Sequence, residues 1–474
     1  MSNGKKSIYS NLITIGSYNY SHTLLRFLAS VFLARLLDPE EYGIVAMITV
    51  FTGFVSYFKD SGISYVLIRE DYGWRFYRMV QWLSIIVGLS LMGLILMLAY
   101  PITLFYEEPL LFLPTCLISF VLLIETANVV PMAVLKKELR FKEVGQVLFI
   151  GYVSGSLLTI LLAYLEFSYW SLIWGQLFSV LLISVLLQRR VCLLHGEATF
   201  TSLNIAWRKV KHTSLNVTGS RFIQYWSSNA DNLIIGKSFG AYSLGIYSKA
   251  YQLMTMQMNL ISGVFNSVLL PSLKEDMKLS KEELIIAYNS ALKLMSLVIL
   301  PVTISLVLFA KPIIILIWGK DWVSVAPIAS YFGVLSIPFV LSRTFGNIYV
   351  LLKKENLLFK LGLFSSVITV IAIIIGSLFG LEEVALALSS VYIMIVLPAT
   401  LFIAFYKSFQ FDLKRIIYFW GFKIVLSMGL LVGLYLNHVI ITQSFMLLLA
   451  IDVIVQGRIH IYKLVFRLLS WIRK

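Results

Sequence analysis

TSLNVTGSRFIQYWSSNADNLIIGKSFGAYSLGI, residues 213–246, is the stretch whose reading decides the fold. It reads as one apolar segment, long enough to cross a bilayer at about 20 residues per helical span. Yet Arg221, Gln224, Asn229, Asp231 and Asn232 lie inside it. Ionisable groups in lipid cost on the order of a few kcal/mol unless they face protein or water, so they mark a polar interior. The same stretch ends in an echo of the N-terminus. Arg35 is followed eight residues later by Gly43-Ile44, and Lys237 eight residues later by Gly245-Ile246. One helix therefore opens a second copy of the fold and carries part of its polar lining.

Working outward, the composition agrees. Of the 474 residues, 59% are hydrophobic and only 13% are charged, where a soluble domain keeps about a quarter charged. Mean hydropathy is +0.86. The chain is predicted to be an all-α, polytopic membrane protein. A net charge of +15 suggests nucleic acid only until the distribution is inspected. The basic residues come in short groups between apolar runs, as in cytoplasmic loops, so no nucleic-acid partner is expected.

About fourteen spans are predicted, near 10–36, 42–58, 77–100, 111–135, 144–165, 168–188, 213–237, 242–270, 288–310, 322–350, 358–380, 383–406, 416–436 and 439–456. With the N-terminus inside, the inner segments hold 31 of the 39 Lys and Arg, Lys59 and Lys423 among them, and the outer turns hold four. That asymmetry fixes the orientation by the positive-inside rule, with both termini cytoplasmic.

The repeat extends further. Leu135-Lys136-Lys137-Glu138 recurs as Leu352-Lys353-Lys354-Glu355, Phe141-Lys142 as Phe359-Lys360, and Ala99 with Pro101 as Ala310 with Pro312. Six spans per copy is an even number, so both copies keep one orientation around an axis along the membrane normal. The predicted organisation is a six-helix lobe over 1–188, a cytoplasmic loop over 189–211, and a second six-helix lobe over 212–410. Two additional transmembrane helices over 411–456 and a basic amphipathic tail over 457–474 follow. Ser280-Lys281-Glu282-Glu283 fits a capping box at a helix start.

No Walker A sequence and no His/Cys cluster at metal-ligand spacing is present, so no cofactor, metal or ATPase role is expected. The ionisable residues of the spans are the functional candidates. Arg221 lies roughly 12 Å, and Arg26 roughly 24 Å, into their spans at about 1.5 Å per residue, too deep for snorkelling alone. Lys249 and Arg343 lie nearer span ends, where snorkelling is an equal reading. With Gln224 and Asn229 these four cations form the candidate substrate-binding lumen. Glu125, mid-span, is either a proton relay or the partner of an arginine that holds helices together, and Asp231 is the second ion-coupling candidate. A lumen richer in Arg and Lys than in carboxylates favours an anionic cargo.

Several stretches carry a family resemblance. They are Phe32-Leu33-Ala34-Arg35-Leu36-Leu37 with Tyr42-Gly43, Asp60-Ser61-Gly62-Ile63, and Pro131 through Phe141. The second half adds Asp231-Asn232-Leu233-Ile234-Ile235-Gly236-Lys237 with Leu244-Gly245-Ile246-Tyr247, and Trp318-Gly319 with Trp322. Over about residues 8–410 the chain resembles the polysaccharide flippases of the multidrug/oligosaccharidyl-lipid/polysaccharide exporter superfamily, nearest the colanic-acid and teichuronic-acid exporter type. The resemblance implies a two-lobed bundle that alternates between inward- and outward-open states. Its cargo would be an undecaprenyl-pyrophosphate-linked oligosaccharide, its neighbours membrane lipids and the polysaccharide polymerase machinery. Essential basic lumen residues in such proteins are matched here to Arg26 and Arg221 by chemistry and depth only.

Two other readings compete. An ion-coupled multidrug or small-cation antiporter of the same superfamily needs acidic lumen residues, which are few. A membrane-embedded polymerase or glycosyltransferase needs a large outer loop, and the outer turns are short.

Overall fold

The structure, a computed structural model, describes residues 23–60, 62–69, 72–191, 225–226, 228–257, 281–343, 349, 354–403 and 417–472. Arg221, Gln224, Ser280 and most of the 189–211 loop lie outside the described residues. Every regular element among the described residues is helical. Among the described residues, eight helices are long and apolar enough to cross a bilayer, or nine if Leu292–Leu308 and Ala310–Ile317, bent by 90°, form one span. That number is compatible with fourteen spans in the whole chain.

The chain divides into two compact units, Met1–Gly245 and Ile246–Lys474. In the first unit the helices are α1 (Thr23–Leu33), α2 (Pro39–Ser56), α3 (Ile63–Arg69), α4 (Trp74–Tyr106), α5 (Phe112–Ala127), α6 (Val129–Lys137), α7 (Phe141–Tyr164) and α8 (Trp170–Val191). Helical residues 228–257, α9, run from this unit into the second.

Local chemistry explains the boundaries. Asp38 caps α2, Pro39 fills its first position, and the Asp38 amide donates to Glu41 Oε2 at 2.8 Å. The acidic first turn also opposes the helix dipole. Asp60 leads into α3, its carbonyl accepting from the Ile63 amide at 2.7 Å. Gly62 has φ 76°, a left-handed conformation that glycine adopts freely, and Asp60 Oδ1 accepts from the Ser64 amide at 3.0 Å.

At one end of this unit α3, α4, α6, α7 and α8 converge on a core that includes Leu67, Val80, Val130, Leu135, Val147 and Leu187, all fully buried. The basic motif residue Lys137 closes this end by donating to Leu67 O at 3.1 Å and Tyr77 Oη at 3.0 Å. Arg140 clasps Glu143 through Nε and Nη2, and Arg190 reaches the same carboxylate at 2.7 Å. Away from these ends, large apolar side chains such as Met97, Leu157 and Leu161 lie exposed, as lipid-facing helices require.

At the opposite end the sequence echo becomes a contact. A Cβ on Gly43 would lie 1.7 Å from Ala241 O, and one on Gly245 would lie 1.8 Å from Pro39 O. Position 39 thus meets 245 as 43 meets 241, with 202 residues between each pair of counterparts. This is the reciprocal pattern of a two-fold contact, and it needs glycine because the backbones touch. Beside it Lys237 Nζ bonds Glu107 Oε1 at 2.7 Å. That hydrogen bond holds the Glu107 carboxyl below its usual value.

The second unit contains α10 (Lys281–Leu308), α11 (Ala310–Ile317), α12 (Val325–Arg343), α13 (Glu355–Ser377), α14 (Leu381–Leu401), α15 (Phe422–Tyr435) and α16 (Val439–Ile472). The apolar window of α12 is 89% buried. It therefore forms the centre of this unit, against α10, α14 and α15. The terminal pair is integral to the unit, with α15 on α12 and α16 on α10. Lys423, grouped by sequence with the inner-loop cations, is instead buried at the start of α15. It donates to Asp452 Oδ2 at 2.8 Å, Gln456 Oε1 at 2.9 Å and Phe419 O at 3.1 Å. Gln456 completes the network by donating to Asp452 Oδ1 at 2.7 Å.

Candidate functional site

Four helical elements of the first unit bring together a charged cluster. Lys59 follows the last turn of α2, its amide bonded to Ser56 O. Its ammonium meets Glu125 Oε2 of α5 at 2.9 Å, with both side chains about one-third exposed. Tyr152 of α7 lies within electrostatic reach of Glu125, of Lys59 and of Arg26 on α1. Two cations and one carboxylate thus lie within electrostatic range of one phenol, a set with a net positive charge. Partial exposure matters chemically. A fully buried ion pair is a closed structural element, whereas these groups keep a face for a ligand.

An aromatic shelf adjoins the cluster along α2. Phe54 lies 5.6 Å from Tyr225 and 5.1 Å from Trp226 between ring centroids, and Tyr57 lies 5.2 Å from Tyr225. The Tyr225 hydroxyl donates to the carbonyl oxygens of Val50 and Thr49, which anchors the shelf on α2. Tyr57 precedes Lys59 by two residues, so the rings and Lys59 share the C-terminal end of α2. Such a surface can pair an anionic group with the cations while apolar ring faces hold a sugar.

Of the residues singled out from sequence, Arg26 and Glu125 come together here. Asn229 Nδ2 donates to Tyr225 O at 2.9 Å, one turn along α9, so it supports the aromatic shelf. Asp231 is buried, and its Oδ1 accepts from the Asn232 amide at 2.8 Å. Lys249 belongs to the second unit and is 3% exposed. Its ammonium sits 5.2 Å from the Trp318 ring and 5.1 Å from the Trp322 ring, a double cation–π clamp. The Trp318-Gly319 and Trp322 motif is thus the wall around Lys249. Arg343 ends α12, and its side chain, like Arg221 and Gln224, lies outside the described residues. Sequence reasoning did not single out Lys59, which faces Glu125 across 66 positions. The available signal was that a cation just past a span and a carboxylate mid-span require partners.

The comparisons with known proteins accord with this geometry. A family profile described as "Polysaccharide biosynthesis protein" matches residues 32–327. The chain belongs to this family. Among its relatives, an "Uncharacterized membrane protein in cps region" of Klebsiella pneumoniae is 24% identical over 308 residues. That match covers 64% of this chain and 63% of the relative, just under two thirds of its length. The teichuronic acid biosynthesis protein TuaB of Bacillus subtilis is 23% identical, covering 71% of this chain and 70% of the relative. Among solved structures, the lipid II flippase MurJ in an inward closed conformation superposes with a TM-score of 0.70 at 16% identity, over 96% of this chain and 100% of that one. An inward-facing multidrug MATE transporter gives 0.62 at 17% identity, over 85% and 98%. At these identities the superpositions establish the fold, and the family member shares the transporter fold of both.

Proposed function

We propose that this member of the polysaccharide biosynthesis family is a flippase. It translocates a lipid-linked oligosaccharide, of the undecaprenyl-pyrophosphate class, across the bacterial cytoplasmic membrane by alternating access, for cell-surface polysaccharide assembly. The observation that carries the reading is the Arg26, Lys59, Glu125 and Tyr152 cluster beside the aromatic shelf. Its net positive charge suits a pyrophosphate, and its ring faces suit the adjoining sugars. The family match and the names of the relatives support the same cargo. The chain carries out transport rather than bond chemistry, and a polysaccharide polymerase on the outer side is the natural recipient of the product.

In this reading Arg26 and Lys59 engage the phosphate end, Lys59 exchanging Glu125 for the cargo while Glu125 takes up a proton as the cycle proceeds. Arg221 and Gln224 are substrate-binding candidates on the sequence argument alone. The repeats 1–188 and 212–410 act as two lobes with 189–211 as their link, 411–456 adds two helices, and both termini face the cytoplasm. The test is export in a strain whose own flippase is deleted. Arg26→Ala and Lys59→Ala reach the membrane but restore no surface glycan, whereas Lys59→Arg restores it. Full export from both alanine variants overturns the assignment of the cluster. For Glu125→Gln, export becomes independent of the proton gradient, and an unchanged pH response removes the relay role.

A further inference from the structure

A groove of about 600 Å3 opens between α4, α5 and α8, within the roughly 300–1,000 Å3 of ordinary ligand clefts. Its walls are Ile85 of α4, Leu123 and Ile124 of α5, and Leu181 and Val185 of α8. Leu181 and Val185 are 46% and 44% exposed, so the groove opens to the surroundings of the bundle. Its far end is polar, formed by Gln188 and Arg189. From Leu181 to Arg189 the helix rises roughly 12 Å at about 1.5 Å per residue. That is close to one leaflet of a hydrocarbon core about 30 Å thick.

The polar end holds unmet hydrogen-bonding capacity. Gln188 Oε1 is buried and accepts no hydrogen bond among the described residues. Gln81, one turn before Ile85, donates through Nε2 to Ala127 O at 2.8 Å. Ala127 itself lines the groove, and Gln81 Oε1 is also buried without a donor. An orphaned buried acceptor costs about 1–3 kcal/mol, so a partner that donates to it is favoured. Arg189 faces no carboxylate among the described residues. The neighbouring carboxylate, Glu143, is taken by Arg140 and Arg190. Among the described residues, one end of the groove therefore offers a guanidinium with no carboxylate partner and amide acceptors, and the other offers only hydrocarbon.

We propose that this groove is a binding site for a phospholipid with an anionic, hydroxyl-bearing headgroup, of the phosphatidylglycerol type. One acyl chain lies along Leu181, Val185, Leu123 and Ile85. The phosphate pairs with Arg189, and the headgroup hydroxyls donate to the Gln188 amide. A zwitterionic head brings an ammonium to a cationic helix end that also carries Arg190, and is disfavoured there. Arg26, Lys59, Glu125 and Tyr152 are not among its lining residues, and the site does not depend on the cargo proposed above.

Native mass spectrometry of the full chain in detergent tests this with phosphatidylglycerol, phosphatidylethanolamine of matched chains, and undecaprenyl phosphate. The wild type should retain phosphatidylglycerol at least five-fold more than phosphatidylethanolamine. Arg189→Ala should abolish that preference, and Val185→Trp, which fills the groove, should lower retention of both. Equal retention of the two phospholipids by the wild type, or an unchanged preference in Arg189→Ala, overturns the proposal. Arg189 lies at an exposed helix end, so that variant keeps the test decisive even if Val185→Trp fails to fold. Displacement of phosphatidylglycerol by equimolar undecaprenyl phosphate also overturns it, since the groove would then hold the cargo tail. Binding rather than export is measured, so failure here leaves the flippase reading standing.

Discussion

Lys59 and Glu125 show how a charge within a bundle acquires meaning from its partner. Their pair is one-third exposed, so screening limits its structural worth and leaves both groups available to a ligand. Lys423 and Asp452 are the opposite case. They are 3% and 10% exposed, with all three ammonium protons of Lys423 matched to acceptors. Removing one member of such a pair strands the other, at about 3–5 kcal/mol. Lys423→Ala should therefore lower the thermal midpoint in detergent sharply. The double replacement Lys423→Met with Asp452→Leu should recover most of it, as a double-mutant cycle will read. By contrast, Glu125→Gln should cost little stability while impairing export. The sequence displayed these charges but not their pairing. These helices are apolar nearly all round, so a 3.6-residue period does not reveal which face turns inward, and the partners lie 66 and 29 positions apart. Lys249 illustrates the same limit. Its place near a span end was legible, whereas its enclosure by Trp318 and Trp322 depends on a loop about 70 residues away.

Helices and turns were more legible, because composition and end signals act locally. Asp38-Pro39 starts α2, and the basic pairs Lys136-Lys137 and Arg189-Arg190 end α6 and α8. The repeated Gly43 and Gly245 were visible as an echo, and their reciprocal seating on Ala241 and Pro39 supplies the physical reason. Gly43→Ala and Gly245→Ala should each separate the backbones and reduce the yield of monodisperse protein. Gly73→Ala, where a Cβ meets nothing within 4 Å, should leave it unchanged under the same size-exclusion assay. The nearby Lys237–Glu107 pair predicts a pH effect. The Glu107 carboxyl is held below its usual value of 4.5, so its contribution is present above that pH and is lost as the pH falls through the depressed value. The melting difference between wild type and Glu107→Gln should persist at pH 7 and close only below pH 4.5.

At the scale of the molecule, length, hydropathy and the distribution of Lys and Arg foretold a many-span bundle, and the family profile and the two superpositions agree with it. What a one-dimensional reading could not supply was the grouping of Arg26, Lys59, Glu125 and Tyr152, which four separate elements deliver to one place. The account's central claim is that this cluster handles the charged end of a lipid-linked glycan. Its most direct test is a proteoliposome assay in which a fluorescent undecaprenyl-pyrophosphoryl oligosaccharide is scored for loss of protection from a membrane-impermeant quencher. The account predicts rapid exposure with the wild type and at least ten-fold slower exposure with Lys59→Ala or Arg26→Ala. Wild-type vesicles that leave the glycan lipid protected, or alanine variants that expose it at the wild-type rate, would contradict it.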